Sequence, residues 1–283
     1  MKAAPVYYLG PEGTFSHILA LRYFGRKVLC EQRPTLESVV EGLAAGPSHG
    51  AAVLPVENSS GGTVPDSIDT LIRHAGRIHV VEEIALDVRI ALLGTAGGEP
   101  RVIYSHFTQI KHHGDWLRTK FPHARLVAVE STAVAADRAG RSHSAAAMAA
   151  PGAAALYGLD VLARPPGGNE PNVTHFYILR NGAPPTEKSD VAGGAVRTAL
   201  VAALPNVCGS LHAFLAPFAR HGISLTRIVS RPVRGHPQTY VFFVEIEGDP
   251  GFGLAQKAVR RASQLAESLV SLGAFPSGRR VKS

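Results

Sequence analysis

The sequence predicts an α/β fold in two parts. A larger region of alternating strands and helices is followed by a small domain in the ferredoxin-like order βαββαβ. Three observations carry this expectation. Residues 6–179 alternate short apolar runs with stretches of helical period, the pattern of repeated βα units on a largely parallel sheet with helices on both faces. Residues 181–196, NGAPPTEKSDVAGGAV, interrupt that rhythm with proline, glycine and charge, and read as a linker. Beyond them come strand, helix, strand, strand, helix and strand patterns. A chain of 283 residues suits about two domains. The expected boundaries are residues 1–181 for the first domain, 182–196 for the linker, 197–276 for the second domain and 277–283 for a basic tail.

The elements follow in order. Residues 6–9 form a short strand, and 14–24 a helix with Phe15, Ile18, Leu19 and Leu21 on one face. Residues 35–43 read as a helix capped by Thr35. Residues 51–56 are a buried strand, 67–73 a helix, and 83–93 alternate as one long strand. A strand at 102–104, a helix at 114–120, a strand at 126–129 and a helix from 133 to 139 follow. The alanine-rich stretch 145–157 reads as helix, broken at Pro151, and 176–179 closes the region as a strand. In the second domain the strands are 197–204, 224–230, 239–247 and 268–275, with helices at 210–221 and 254–266.

Composition narrows the function. Hydrophobic residues make up 45% and charged residues 18%, a globular rather than a disordered balance. The net charge of +7 invites a polyanion partner, but its distribution argues otherwise. Residues 1–180 carry 17 basic against 16 acidic residues, and residues 181–283 carry 12 against 6. No recognition helix or aromatic–basic stripe accompanies the surplus, so nucleic acid is not an expected partner. No apolar run reaches the length of a bilayer span and the N-terminus lacks a signal-peptide pattern, so no membrane partner and a cytoplasmic location are expected. Cys30 and Cys208 are far apart, and no metal-ligand spacing occurs, so neither a disulfide framework nor a metal is expected.

Three segments of the first region share one design, in which a strand ends, a Ser/Thr/Gly-rich turn follows and a helix begins. They are GPEGTFSH (10–17), LPVENSSGGTV (54–64) and VESTAVAA (129–136). Strand ends line the ligand crevice in parallel α/β folds, and helix N-termini present unpaired N–H groups to anions. Any one of these is more often a plain helix cap; three together favour a small carboxylate or phosphate ligand. Neither dinucleotide-binding nor P-loop glycine patterns are present. Two further polar clusters flank strands: Ser105-His106 and Asn172-Val173-Thr174-His175.

At these residues the chain resembles the prephenate dehydratases. GPEGTFSH, PVENSSGGTV, STAVAA, ALYGLDVL and NVTHF look like that family's motif series, in its order. LPNVCGSLHAFLAPFARHGISLTRIVSRP, TYVFFVEIEG and LGAFP resemble the ACT regulatory domain that usually follows. The resemblance implies a two-lobed catalytic domain similar to type 2 periplasmic binding proteins, with the active site between lobes. It implies conversion of prephenate to phenylpyruvate, water and CO2 in phenylalanine biosynthesis, with no cofactor. Thr174 corresponds to the threonine of the family's TRF motif, the implied catalytic residue. Thr14, Ser16, Asn58, Ser59, Ser105, Ser131, Thr132, His175 and Phe176 are the implied substrate-binding groups. Glu57, a carboxylate facing a dianion, suits a structural role. A phenylalanine site is implied at Asn206, Gly209, Ser210, Leu211, Ser230 and Arg231, and a homodimer or homotetramer through the ACT domains.

The chain departs from the pattern in four places. TRF reads Thr174-His175-Phe176, and the usual SHPQ reads Ser105-His106-Phe107-Thr108, with Lys111, His112 and His113 nearby as alternative cations. His212 and Val229 alter the ACT motifs. These departures leave two other readings open: a prephenate decarboxylase that keeps the hydroxyl, and a non-catalytic sensor of small carboxylates.

Overall fold

The computed structural model describes residues 4–166, 172–184, 195–233, 235 and 239–283. The first lobe contains β1 (Pro5–Leu9), α1 (Phe15–Phe24), β2 (Leu29–Arg33), α2 (Leu36–Ala45), β3 (Ala51–Asn58), β4 (Gly62–Thr63), α3 (Pro65–Arg73) and β5 (Ile78–Asp87). The second contains β6 (Ala91–Gly94), β7 (Val102–His106), α4 (Phe107–Lys120), β8 (Arg125–Val129), α5 (Thr132–Gly140), β9 (Ala145–Ala149) and β10 (Asp160–Ala163). The chain then returns to the first lobe as β11 (Val173–Asn181). The C-terminal domain is β12 (Ala195–Ala203), α6 (Ser210–Arg220), β13 (Leu225–Pro232), β14 (Tyr240–Glu247), α7 (Gly253–Ser263) and β15 (Ser268–Ser277), followed by β16 (Arg279–Lys282).

The sheets explain the two lobes. The first runs β16-β5-β11-β3-β1-β2, with β4 on β3, and the second runs β10-β6-β9-β7-β8. Both are mixed rather than largely parallel. β1 pairs parallel with β2 and β3, but β11 runs antiparallel to both β3 and β5. In the second sheet β7 pairs parallel with β8 and β9, while β6 is antiparallel to β9 and β10. β6 and β11 are the strands by which the chain enters each sheet from the other lobe. The expected long strand at 83–93 is therefore two strands, β5 and β6, in different sheets. Residues 88–90 cross between lobes, and the Val88 amide donates to the Asn172 carbonyl at 2.8 Å, tying the two crossings together.

Three helices of the catalytic domain begin at side-chain caps. Thr35 and Ser38 form a reciprocal capping box at α2. Thr14 caps α1 by accepting from the His17 amide, and Ser131 caps α5 by accepting from the Val134 amide. Residues 145–149 overturn the helical expectation. All five are buried in β9, between β6 and β7. Burial on both faces of the sheet outweighs alanine's helix propensity, and its small side chain lets α5 pack closely. Only a short 3-10 turn, Pro151–Ala153, follows.

The C-terminal sheet, β13-β14-β12-β15, is antiparallel and keeps the expected βαββαβ order. One face packs against α6 and α7 through Phe214, Phe218 and Ala258. The other merges with the first lobe: Ala199, Val201, Phe243, Leu272 and Phe275 share a core with Val80, Tyr177 and Leu179. Phe275 meets the Tyr177 ring edge-on at 5.2 Å between centroids. Gly273, at φ +108°, permits the close approach; a Cβ there would lie 3.2 Å from the Val80 carbonyl oxygen. Of the linker expected at 182–196, residues 185–194 lie outside the described residues. The expected basic tail is instead strand β16, parallel to β5, with Arg280 paired to Asp87 at 2.6 Å. Pairing with an otherwise open edge, and the carboxylates beside it, account for the order.

Candidate active site

Between the lobes lies a cleft of about 310 Å³, near the lower end of the usual range for small-molecule sites. The first lobe contributes Thr14, Phe15 and Ser16 from the start of α1, Pro55 and Asn58 from β3, and Gly61. The second contributes His106, Thr108 and Gln109 around the start of α4, and Glu130, Ser131 and Thr132 around the start of α5. Val88 and Asn172, from the two crossings, and Thr174 and Phe176, from β11, complete it. A larger hollow of about 490 Å³ shares Glu130 and Ser131 but is otherwise lined by residues such as Gln32 and Arg33, without Thr174.

Thr174 is fixed by Asn58. The Asn58 Oδ1 accepts from the Ser60 and Gly61 amides at 2.9 and 3.0 Å, so its Nδ2 must face the other way. That nitrogen donates to Thr174 Oγ1 at 2.8 Å and Asn172 Oδ1 at 2.9 Å. Since Thr174 accepts from Asn58, its own hydroxyl proton is available to a ligand in the cleft. The same bond polarises the hydroxyl and strengthens it as a donor.

The anion-binding capacity comes from helix ends. α1, α4 and α5 all begin at the cleft, and each leaves first-turn N–H groups without intrahelical partners. No lysine or arginine lines the cleft among the described residues, and the one carboxylate, Glu130, sits 3.7 Å from Arg138. The GPEGTFSH turn is braced from within. His17 Nδ1 accepts from the Gly13 amide at 3.0 Å, and its ring stacks on Tyr8 at 4.9 Å. Burial pushes the His17 pKa down, favouring the neutral ring this acceptor role requires. Tyr157 of the second lobe donates to the Glu12 carbonyl of the first at 2.5 Å, joining the lobes.

Seven of the expected residues therefore meet here: Thr14, Ser16, Asn58, Ser131, Thr132, Thr174 and Phe176. Thr14 serves mainly as a cap, because its hydroxyl also donates to the Leu9 carbonyl at 2.9 Å. Three do not line the cleft. Ser59 bonds the Val173 backbone through both its amide and its Oγ. Ser105 is fully buried and donates to the Met148 carbonyl at 3.0 Å. His175 lies on the opposite face of β11 from Thr174, with Nδ1 3.3 Å from Glu83. Lys111, His112 and His113 do not line it either. Phe15, His106, Thr108, Gln109 and Asn172 also line the cleft; His106 and Asn172 belong to polar clusters noted in the sequence, but none of the five was given a binding role there.

His175 instead joins an ionic cluster under the C-terminal domain. Arg227 donates to Glu57 from Nε at 2.9 Å and Nη2 at 2.7 Å, and from Nη1 to Glu245 and the Tyr177 hydroxyl at 2.7 and 2.8 Å. Arg197 bridges Glu83 and Glu245 at 2.7 and 3.2 Å. Burial pushes Glu83 upward, but His175, Arg197 and Arg227 outweigh it and hold the carboxyl below its ordinary range.

Comparison with known proteins settles the family. A prephenate dehydratase family model matches residues 6–184, and an ACT domain model matches residues 198–264. This chain belongs to the prephenate dehydratase family. It is 36% identical over 275 residues to the bifunctional chorismate mutase/prephenate dehydratase of Stutzerimonas stutzeri, covering 96% of this chain and 73% of that protein. The prephenate dehydratase of Arthrobacter aurescens in complex with L-Phe superposes with a TM-score of 0.84 at 28% identity, covering 96% of this chain and 90% of that one. The quorum-quenching acylase GqqA shares the fold at a TM-score of 0.85 and 26% identity, over 97% and 98% of the two chains.

The residues expected to bind phenylalanine in the ACT domain cluster only in part. Asn206 is exposed, and Gly209, at φ +86°, starts α6. Ser210 Oγ donates to the Val207 carbonyl at 2.9 Å, and Leu211 packs on the domain core. Ser230 pairs with Phe242, which pairs with Ala202, so it lies at the same sheet end as that loop. Arg231 is committed elsewhere: Nε and Nη2 both bond Asp69 on α3 of the catalytic domain. That bidentate pair occupies the guanidinium edge an effector carboxylate would need.

Proposed function

We propose that the interlobe cleft of this dehydratase-family chain converts prephenate to phenylpyruvate. Prephenate dianion and one proton give phenylpyruvate, CO2 and water. Loss of the ring carboxylate as CO2 sends its electron pair into the ring, the C4–O bond breaks, and aromatisation drives the step. The enzyme must hold two carboxylates and support the departing hydroxyl. The N-termini of α1, α4 and α5 supply donors for the carboxylates without a cation that would overbind the product carboxylate.

The observation that carries the reading is the Asn58–Thr174 hydrogen bond at 2.8 Å. It leaves the Thr174 proton to bond the leaving oxygen as charge develops there. Threonine is too weak an acid to transfer its proton unaided, so the hydroxyl acts as an oriented donor while water supplies the proton.

The test is incubation with prephenate and identification of the product by mass. Phenylpyruvate supports the reading, and Thr174→Ala is expected to lower kcat about 10²–10³-fold. A product still carrying the ring hydroxyl identifies the decarboxylase alternative, and ligand stabilisation without turnover identifies a sensor. Full activity in Thr174→Ala overturns the role assigned to Thr174.

Regulation by phenylalanine is part of the proposal, at the ACT loop 206–211 and Ser230 but without Arg231. β13 is an edge strand of the ACT sheet, and its pairing across a homodimer or homotetramer would cover that edge. A cytoplasmic location fits cysteines that form no disulfide, Cys30 and Cys208.

A further inference from the structure

Gln109 is the third residue of α4 and lies 7% exposed in the cleft wall. A glutamine at this position ordinarily reaches back to the helix start and closes a capping box. Here it does not, since the residue preceding the helix is His106, without a side-chain cap bond, and the buried Gln109 Oε1 has no hydrogen-bond partner. A buried acceptor left unpaired is costly, and such groups in folded proteins have a reason. The usual SHPQ pattern would place glutamine one residue earlier, where this chain has Thr108.

The substrate's chemistry supplies the missing donor. At neutral pH prephenate presents carboxylate and keto oxygens, which only accept, and one hydroxyl, at C4, which donates. Gln109 and Thr174 line the same cleft from opposite lobes. We propose that Gln109 is a specificity-determining substrate contact whose carboxamide oxygen accepts the C4 hydroxyl proton. A turn about the soft terminal torsion of the side chain brings that oxygen to the ligand. Thr174 then donates to the same C4 oxygen from the other side. Together they fix the hydroxyl so that its lone pair, and not its proton, faces Thr174. An uncharged acceptor does this without repelling the dianion. The inference rests on the proposed reaction and adds the residue that reads its leaving group.

The test uses two ring-saturated prephenate analogues that cannot aromatise, one with the C4 hydroxyl and one with hydrogen there. The unaltered chain is expected to bind the hydroxylated analogue more tightly. In Gln109→Met that preference falls about tenfold, while the deoxy analogue binds as before because its carboxylates are held elsewhere. Gln109→Asn, which keeps the amide but withdraws it by one methylene, is expected to lose preference in the same direction and serves if the methionine variant fails to fold. An unchanged preference, or equal weakening toward both analogues, overturns the proposal. Prephenate turnover by the unaltered chain is scored separately: an active enzyme with an unchanged preference removes Gln109 alone, whereas no turnover removes the reaction itself.

Discussion

Arg227, on an ACT strand, donates two hydrogen bonds to a single carboxylate oxygen of Glu57, the residue immediately before Asn58. The backbone that aims Asn58 at Thr174 is thereby gripped from the neighbouring domain. Replacing Arg227 with Met leaves Glu245 and Glu83 buried beside one fewer cation, and breaking such a pair costs about 3–5 kcal/mol. Denaturant unfolding should show that loss. Glu57→Gln should cost less, because the Glu57 side chain is 39% exposed. It should still slow turnover by loosening Asn58. A kcat for Glu57→Gln equal to the parent's would separate the ionic cluster from catalysis.

His175→Arg restores the usual TRF triplet. Because residue 175 points away from the cleft and toward Glu83, the arginine should strengthen the domain junction and leave the KM for prephenate within about twofold. A large fall in KM would instead mean that the side chain reaches the substrate.

Gly273→Ala places a methyl group 3.2 Å from the Val80 carbonyl at a backbone angle of +108°. The expected penalty is about 1–3 kcal/mol, seen as a lower unfolding midpoint. Gly152→Ala, with open space around its Cβ position, is the matched control.

Burial holds His17, His79, His106 and His113 below the ordinary 6.5 in the folded chain. The unfolded chain therefore takes up protons first as pH falls through that value. Stability should be full above about pH 7 and decline toward pH 5. Urea midpoints at pH 7.5, 6.5 and 5.5 check the sign, and His17→Gln should flatten the slope. A midpoint that rises on acidification would contradict it.

Much of this site was legible in the sequence because its parts are local. Helix caps at Thr14 and Ser131, and the turn around Asn58, are written within a few residues of one another. The failures came from information that is not local. Residues 145–149 read as helix until burial between two strands overrode alanine's preference. Residues 83–93 read as one strand because nothing in the alternation marks a crossing between lobes. His175 is a different case: strand periodicity puts it opposite Thr174 and Phe176, so its exclusion from the cleft was available from spacing alone. Ser105 fails similarly, one residue inside the strand end that presents His106. The Arg231–Asp69 pair joins residues 162 apart in sequence and left no local trace.

β16 places the end of the chain beside the crossing at residue 88. The Arg89 amide donates to Ser283 Oγ, and the Ser283 amide donates to the Asp87 carbonyl, at 2.8 and 3.0 Å. The ACT domain is thus fastened to the catalytic sheet at both of its ends, like a handle rather than a pendant. A handle held in this way meets the first lobe at three named places: β16 along β5, Arg227 on Glu57 and Arg231 on Asp69. Deleting residues 279–283 converts the handle to a pendant and bares β5 as a sheet edge. That variant should aggregate more readily and, where phenylalanine inhibits the intact enzyme, should respond to it less.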